Sequence, residues 1–177
     1  MNRPEASSKP HERQIVAIDG FHQMTQIREA LADDAPVIIE FNRRLAWETE
    51  RKRLDPAKLA AGVAGVFGKP GRGRYFVATT AEGGAQRVVG QLMITYEWSD
   101  WRNGDFWWIQ SVYVDAGHRR RGVFRALYEY VEALARKKPD VCGLRLYVEV
   151  ANNAALSTYD NLGFQPSGYV VYEREWS

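Results

Sequence analysis

The clearest periodic signal in the chain is the apolar run Phe124, Leu127, Tyr128, Val131, Leu134 and Ala135. Its i, i+3, i+4, i+7 spacing lines one face of an α-helix. Upstream, Val37, Ile38, Phe41, Leu45 and Trp47 form a second stripe, with Asp33 or Asp34 placed to cap it. Leu54-Asp55-Pro56 opens a third helix, Asp at the N-cap and Pro at the first helical position, running through Leu59 and Val63 to Phe67. Gly68, Pro70, Gly71 and Gly73 stop it.

Strand patterns fill the spaces between. Met24 to Glu29 reads as a first strand, and Ile15 to Ile18 is a short β-rich run with no assigned place. Arg74 to Thr80 and Gln86 to Glu97 flank a Gly83-Gly84 hairpin turn. Asp105 to Val114 is the next strand, followed after the amphipathic helix by Leu144 to Val150. Asn152-Asn153 caps a short helix to about Leu162, ended by Gly163 in the left-handed position of a C-cap. Tyr169 to Trp176 closes the chain as a last strand that could pair across a homodimer. The order β, α, α, β, β, β, α, β, α, β predicts an α/β fold with a mixed, mostly antiparallel central sheet flanked by helices. Residues 1–23 read as an N-terminal extension, partly flexible, and 24–177 as a single domain.

Composition removes several classes of function. The chain of 177 residues sets 24 basic against 22 acidic side chains, a net charge of +2. That balance argues against nucleic acid or an anionic membrane as a partner. A single cysteine, Cys142, excludes an internal disulfide and favours an intracellular setting. The start of the chain is polar, and no apolar run approaches the roughly 20 residues of a membrane helix. A cytoplasmic protein is expected. His11, His22 and His118 have no metal-ligand spacing, so no metal is expected.

Chemistry concentrates at two places. His118-Arg119-Arg120-Arg121-Gly122-Val123-Phe124 puts a basic, glycine-punctuated turn between a strand and the N-terminus of the amphipathic helix. Helix N-termini carry unpaired N–H groups and the positive end of the dipole, which suits a phosphate. Arginines add charge-assisted bonds to phosphate oxygens. A plain solvated loop is the competing reading. The second place is Asn152, Ala155, Tyr159, Gly163 and Phe164, where Asn152, Ala155 and Tyr159 are offset by three and four residues and share a helical face. An ordinary core tyrosine is the competing reading there.

These two motifs, in this order and about 30 residues apart, resemble the GNAT superfamily of acetyl-CoA-dependent N-acetyltransferases. The family's (Q/R)-x-x-G-x-(G/A) loop maps onto Arg119, Arg120, Arg121, Gly122, Val123 and Phe124, with Phe124 replacing the usual small residue. Val112-Tyr113-Val114 matches the strand that binds the pantetheine arm through its backbone, and Asn152 and Tyr159 match the family's later helix. The resemblance implies an acyl-CoA N-acyltransferase fold, acetyl-CoA as co-substrate and a small-molecule or peptide amine as acceptor. It also implies direct attack of the amine on the thioester in a ternary complex, a strand N–H facing the oxyanion, and Tyr159 as acid to the CoA thiolate.

The general base is open. Phe106 to Ser111 contains no carboxylate, which leaves Glu97, Glu149 or a water-mediated route. Tyr96, Trp98, Trp101, Phe106, Trp107 and Trp108 read either as cross-strand packing or, with Glu97, Asp100 and Asp105, as an amine-binding wall. Glu40, Glu48 and Glu50 could add acidity at an acceptor entrance. A catalytically idle acyl-CoA-binding protein is the rival reading, and a nucleic-acid module using Arg119 to Arg121 a distant third.

Overall fold

Gln14–Val16 (β1), Thr25–Glu29 (β2), Arg74–Glu82 (β3), Ala85–Ser99 (β4), Gly104–Val114 (β5) and Val141–Leu146 (β6) lie side by side in chain order as one sheet. The computed structural model describes residues 14–16 and 25–176. Neighbours from β1 to β5 pair antiparallel, and β6 joins β5 in parallel. Gly83 and Gly84, with φ of 59° and 82°, make the β3–β4 turn; two consecutive positive φ values match the right-handed twist of a hairpin. The helices are Ala35–Glu50 (α1), Pro56–Phe67 (α2), Val123–Arg136 (α3) and Asn153–Asn161 (α4). The chain divides into two compact units, one ending at Leu146 and one beginning at Tyr147. The extension expected over residues 1–23 lies outside the described residues except at β1, which pairs with β2.

Alternation along β3 distributes the core of the first unit over both faces of the sheet. Tyr75 and Val77 pack with Ile38 and Val63, from α1 and α2. Phe76 points the other way and meets Tyr130 of α3 edge-on at 5.8 Å. Gly90 belongs to the α3 face: a Cβ there would lie 2.9 Å from Val123 Cγ1. Only a glycine lets the start of α3 sit this close to β4.

Asp55 caps α2 as expected, accepting the Lys58 N–H at 2.8 Å. Asp34 precedes α1 but does not cap it; its carboxylate takes the Leu31 N–H at 2.7 Å and both terminal nitrogens of Arg28 at 2.6 and 2.9 Å. The strand expected over Leu144 to Val150 is instead Val141–Leu146. Pairing with β5 from Asp105↔Val141 to Ile109↔Leu146 selects this earlier, less β-branched segment. Tyr169 to Trp176 carries no strand, and Tyr172 is 91% exposed. β-propensity describes fit to a pleated surface and does not supply the partner a strand requires.

Candidate active site

At the exit of β5 the chain is anchored before it enters α3. The Asp115 N–H donates to Val89 O at 2.9 Å, and Asp115 Oδ1 accepts the Gly117 N–H at 3.2 Å. His118 is buried between two carboxylates, with Nε2 2.8 Å from Glu82 Oε1 and Nδ1 3.4 Å from Asp115 Oδ1. Its hydrogen bond, helped by Arg87, holds Glu82 below the usual carboxylate range. Burial would raise Asp115, but the Gly117 N–H, His118 and Arg87 together hold it low. His118 therefore ties the turn to the β3–β4 hairpin.

Arg119 turns back along the strand. Its Nε donates to Val114 O at 3.0 Å, a terminal nitrogen reaches Glu48 Oε2 at 2.6 Å, and its guanidinium lies 5.3 Å from the Tyr113 ring centre. The Tyr113 hydroxyl donates to Glu48 Oε1 at 2.8 Å, so Arg119, Tyr113 and Glu48 lock β5 to α1. Arg120 and Arg121 are exposed. Arg120 (φ 61°) and Gly122 (φ 77°) both adopt left-handed backbone. Gly122 is the N-cap of α3, no side chain caps the helix, and the first intrahelical bond is Ala126 N–H to Gly122 O at 3.0 Å. Val123 is buried and Phe124 half-buried. The result is an uncapped helix N-terminus flanked by two exposed arginines, which fits an anionic diphosphate.

One turn of pleat upstream, β5 is bulged. Its register with β4 passes from Met93↔Gln110 to Gln91↔Tyr113, so Leu92 faces both Ser111 and Val112. Ser111 takes φ of 48°. Behind the bulge lies a buried polar chain. Gln91 Nε2 donates to Asn42 Oδ1 at 2.7 Å and to Ser111 O at 3.1 Å, and Asn42 Nδ2 donates to the Tyr75 hydroxyl at 3.2 Å. Burial raises Tyr75 despite its hydrogen bonds with Asn42 and Ser111. Gln91 Oε1 is buried and has no hydrogen-bond partner. The β5–β6 ladder stops at Ile109↔Leu146, short of the bulge.

Sequence reasoning missed Gln91, Asn42, Tyr75 and Ser111. Two signals were present: a glutamine inside the apolar run Val88 to Ile94, and an asparagine four residues after Ile38 in the α1 stripe. Val112, Tyr113, Val114, Arg119, Arg120, Arg121, Gly122, Val123 and Phe124 all fall on β5, its exit turn and the first residues of α3, as expected.

Glu97 pairs with Phe106, five residues from Ser111 and thus about 17 Å along the strand from the bulge. Its oxygens are engaged by Arg145, at 2.6 Å, and by the Trp108 indole N–H. Of the aromatic cluster, Trp107 is core and stacks edge-on with Tyr96 at 6.1 Å, whereas Trp98 and Trp101 are exposed. Glu40 is held at about 2 by Arg43 and Arg44; burial would raise Glu48, but Tyr113 and Arg119 hold it below the usual carboxylate range, so neither adds an unpaired charge.

The remaining candidates belong to the second unit. Asn152 caps α4, its Oδ1 accepting the Ala155 N–H at 3.1 Å. Asn152 thus precedes the helix rather than standing on its face. Tyr159 is half-buried, meets Phe164 edge-on at 5.9 Å, and is pushed above the usual phenol range by burial. Gly163, with φ of 83°, ends the helix as expected. Glu149 is exposed and accepts the Ala151 N–H at 3.0 Å. Among the described residues no group of three or more His, Cys, Asp or Glu is placed to hold a metal ion, and no helix is long and apolar enough to cross a membrane.

A mixed, mostly antiparallel sheet with helices is the architecture that the sequence resemblance implies. The sequence pattern of the acetyltransferase (GNAT) family matches residues 25–164. A solved structure described as a possible acetyltransferase from Clostridium difficile 630 is 45% identical, covers 86% of this chain and 98% of its own, and superimposes with a TM-score of 0.79. A transcriptional regulator from Bacillus halodurans C-125 (19% identity, 85% and 99% coverage, TM-score 0.71) and a Trypanosoma brucei acetyltransferase (21%, 86% and 97%, 0.61) share the fold. No curated protein matches the chain. The chain belongs to the acetyltransferase (GNAT) family and is therefore a transferase.

Proposed function

We propose that the protein transfers the acetyl group of acetyl-CoA to the nitrogen of a small-molecule or peptide amine. The observation that carries this reading is the exit of β5: left-handed Gly122 opens an uncapped α3 N-terminus between exposed Arg120 and Arg121. Backbone N–H groups and guanidinium groups would hold the diphosphate there. Phe124 does not obstruct this, since a backbone donor is independent of the side chain. Arg119, engaged with Glu48 and Val114, supports the turn from within.

The amine nitrogen attacks the thioester carbon, the carbonyl oxygen becomes an oxyanion, and the intermediate expels the CoA thiolate. A primary amine resembles lysine, of which only about one in two thousand is neutral at pH 7. Its proton leaves through water or Glu149; Glu97 is too far along the strand and too fully engaged for the task. A backbone N–H facing the oxyanion stabilises it by roughly 3 kcal/mol. The thiolate, chemically like cysteine, takes a proton from Tyr159, whose burial keeps the phenol protonated.

Thiol release from acetyl-CoA across a panel of amines tests the proposal. Amine-dependent release is the expected result. Binding of acetyl-CoA with no release from any amine would instead identify an idle acyl-CoA-binding protein, and salt-sensitive duplex binding a nucleic-acid module.

A further inference from the structure

The buried chain behind the β5 bulge is costly in isolation. Gln91 is fully buried in the middle of β4 with Oε1 unpartnered, and Ser111 holds a left-handed backbone that L side chains rarely adopt. An apolar residue between Gly90 and Leu92 would satisfy the core. What Gln91 adds is a grip on one peptide group. Its Nε2 is shared between Asn42 Oδ1, which fixes the amide against α1, and the carbonyl of Ser111. Asn42 is in turn fixed by the Tyr75 hydroxyl on β3.

The Ser111 carbonyl and the Val112 N–H belong to the same planar unit, and among the described residues no peptide is cis. In a trans peptide the two groups point to opposite sides. Holding the Ser111 oxygen toward Gln91 therefore aims the Val112 N–H away from Gln91 and Asn42. On β5 this happens beyond Ile109, where the ladder to β6 has already stopped. A backbone donor at this point of the cofactor strand is where the proposed reaction needs one.

We propose that Gln91, braced by Asn42 and Tyr75, is a positioning residue that clamps the 111–112 peptide so that the Val112 N–H meets the thioester carbonyl of acetyl-CoA. This inference rests on the acetyl-CoA reading above. It makes Gln91 a determinant of catalysis without contact to either substrate. It also distinguishes acetyl-CoA from CoA, since only the former presents a carbonyl to the clamped N–H.

Two measurements test it. In the wild-type protein the Val112 amide proton, followed by NMR, should move downfield with acetyl-CoA and not with CoA; equal shifts for both ligands would overturn the proposal. In Gln91→Met and Gln91→Leu, which stay close to the volume but remove the donor, the thioester stretch of bound [carbonyl-¹³C]acetyl-CoA should return toward its value in water. The preference for acetyl-CoA over CoA should vanish while CoA affinity holds, so KM for acetyl-CoA rises by the preference lost, and kcat should fall about 10–100-fold with KM for the amine little changed. An unchanged stretch and unchanged preference in either folded variant would overturn the clamp. Binding of acetyl-CoA without turnover by the wild type would end the catalytic reading alone, because the band and the amide shift still report on the clamp. Failure of the wild type to bind acetyl-CoA at all would overturn both.

Discussion

Tyr159 and Asp34 show how the surroundings of one side chain set its work. Burial raises the Tyr159 phenol, so near neutral pH it holds a proton that it can give. Tyr159→Phe keeps the ring against Phe164 and removes only the hydroxyl. We expect kcat to fall ten-fold or more with acetyl-CoA affinity little changed, the size of a general-acid effect; steady-state kinetics beside a binding titration would show it, and unchanged turnover would remove Tyr159 from the mechanism. Asp34 answers to opposing influences. Burial would raise it, yet the Arg28 guanidinium and the Leu31 N–H outweigh this and hold it below the ordinary aspartate range. A depressed folded value means stabilisation that is present above the ordinary range near 3.9 and is lost as pH falls through the folded value. Asp34→Asn should thus cost about 2 kcal/mol at pH 7, with Arg28 left partly buried and unpaired. Urea unfolding at pH 7 and near pH 3 should show the gap shrinking in acid; a gap of equal size at both would rule out the ion pair as its source.

At the scale of elements, the turn from β5 into α3 depends on one backbone conformation. Gly122 at φ of 77° costs nothing, whereas a β-branched residue there is a steric outlier by about 1–2 kcal/mol. Gly122→Val should weaken acetyl-CoA binding ten-fold or more, about 1.4 kcal/mol per decade, because it displaces the N–H groups that open α3. Gly168→Val, with φ of 78° in a segment that has no part in the turn, imposes comparable strain and should leave affinity unchanged. Calorimetric titration of both compares them directly; equal losses would mean that strain alone, and not the turn, controls binding. The elements themselves were legible to different degrees. Asp55-Pro56, Gly83-Gly84, Asn152 and Gly163 carry their signals within a few residues, and each appears in the structure where its local chemistry puts it. β6 starts three residues and ends four residues before the expected strand, because Val148 and Val150 have the higher β-propensity, while parallel pairing with β5 takes Val141–Leu146. Tyr169 to Trp176 has strand composition and no strand.

Over the whole molecule, binding to the folded state alone should stabilise it by mass action. Acetyl-CoA at one hundred times its dissociation constant contributes about 2.7 kcal/mol, which for a chain of 177 residues raises Tm by roughly 5–10 °C. A thermal-denaturation series in acetyl-CoA measures this, and no rise at saturating ligand would contradict the proposed co-substrate. Hydrophobic period and turn chemistry were enough for the mixed α/β class and the positions of α2, α3, α4 and the hairpin, since helices and turns are decided by contacts a few residues apart. The basic turn before α3 was legible for the same reason. The inward engagement of Arg119, the capture of Glu97 by Arg145 and Trp108, and the Gln91–Asn42–Ser111 chain were not. These contacts join residues 11 to 71 positions apart, and such pairs exist only once the sheet register and the packing of α1 bring them within hydrogen-bond distance.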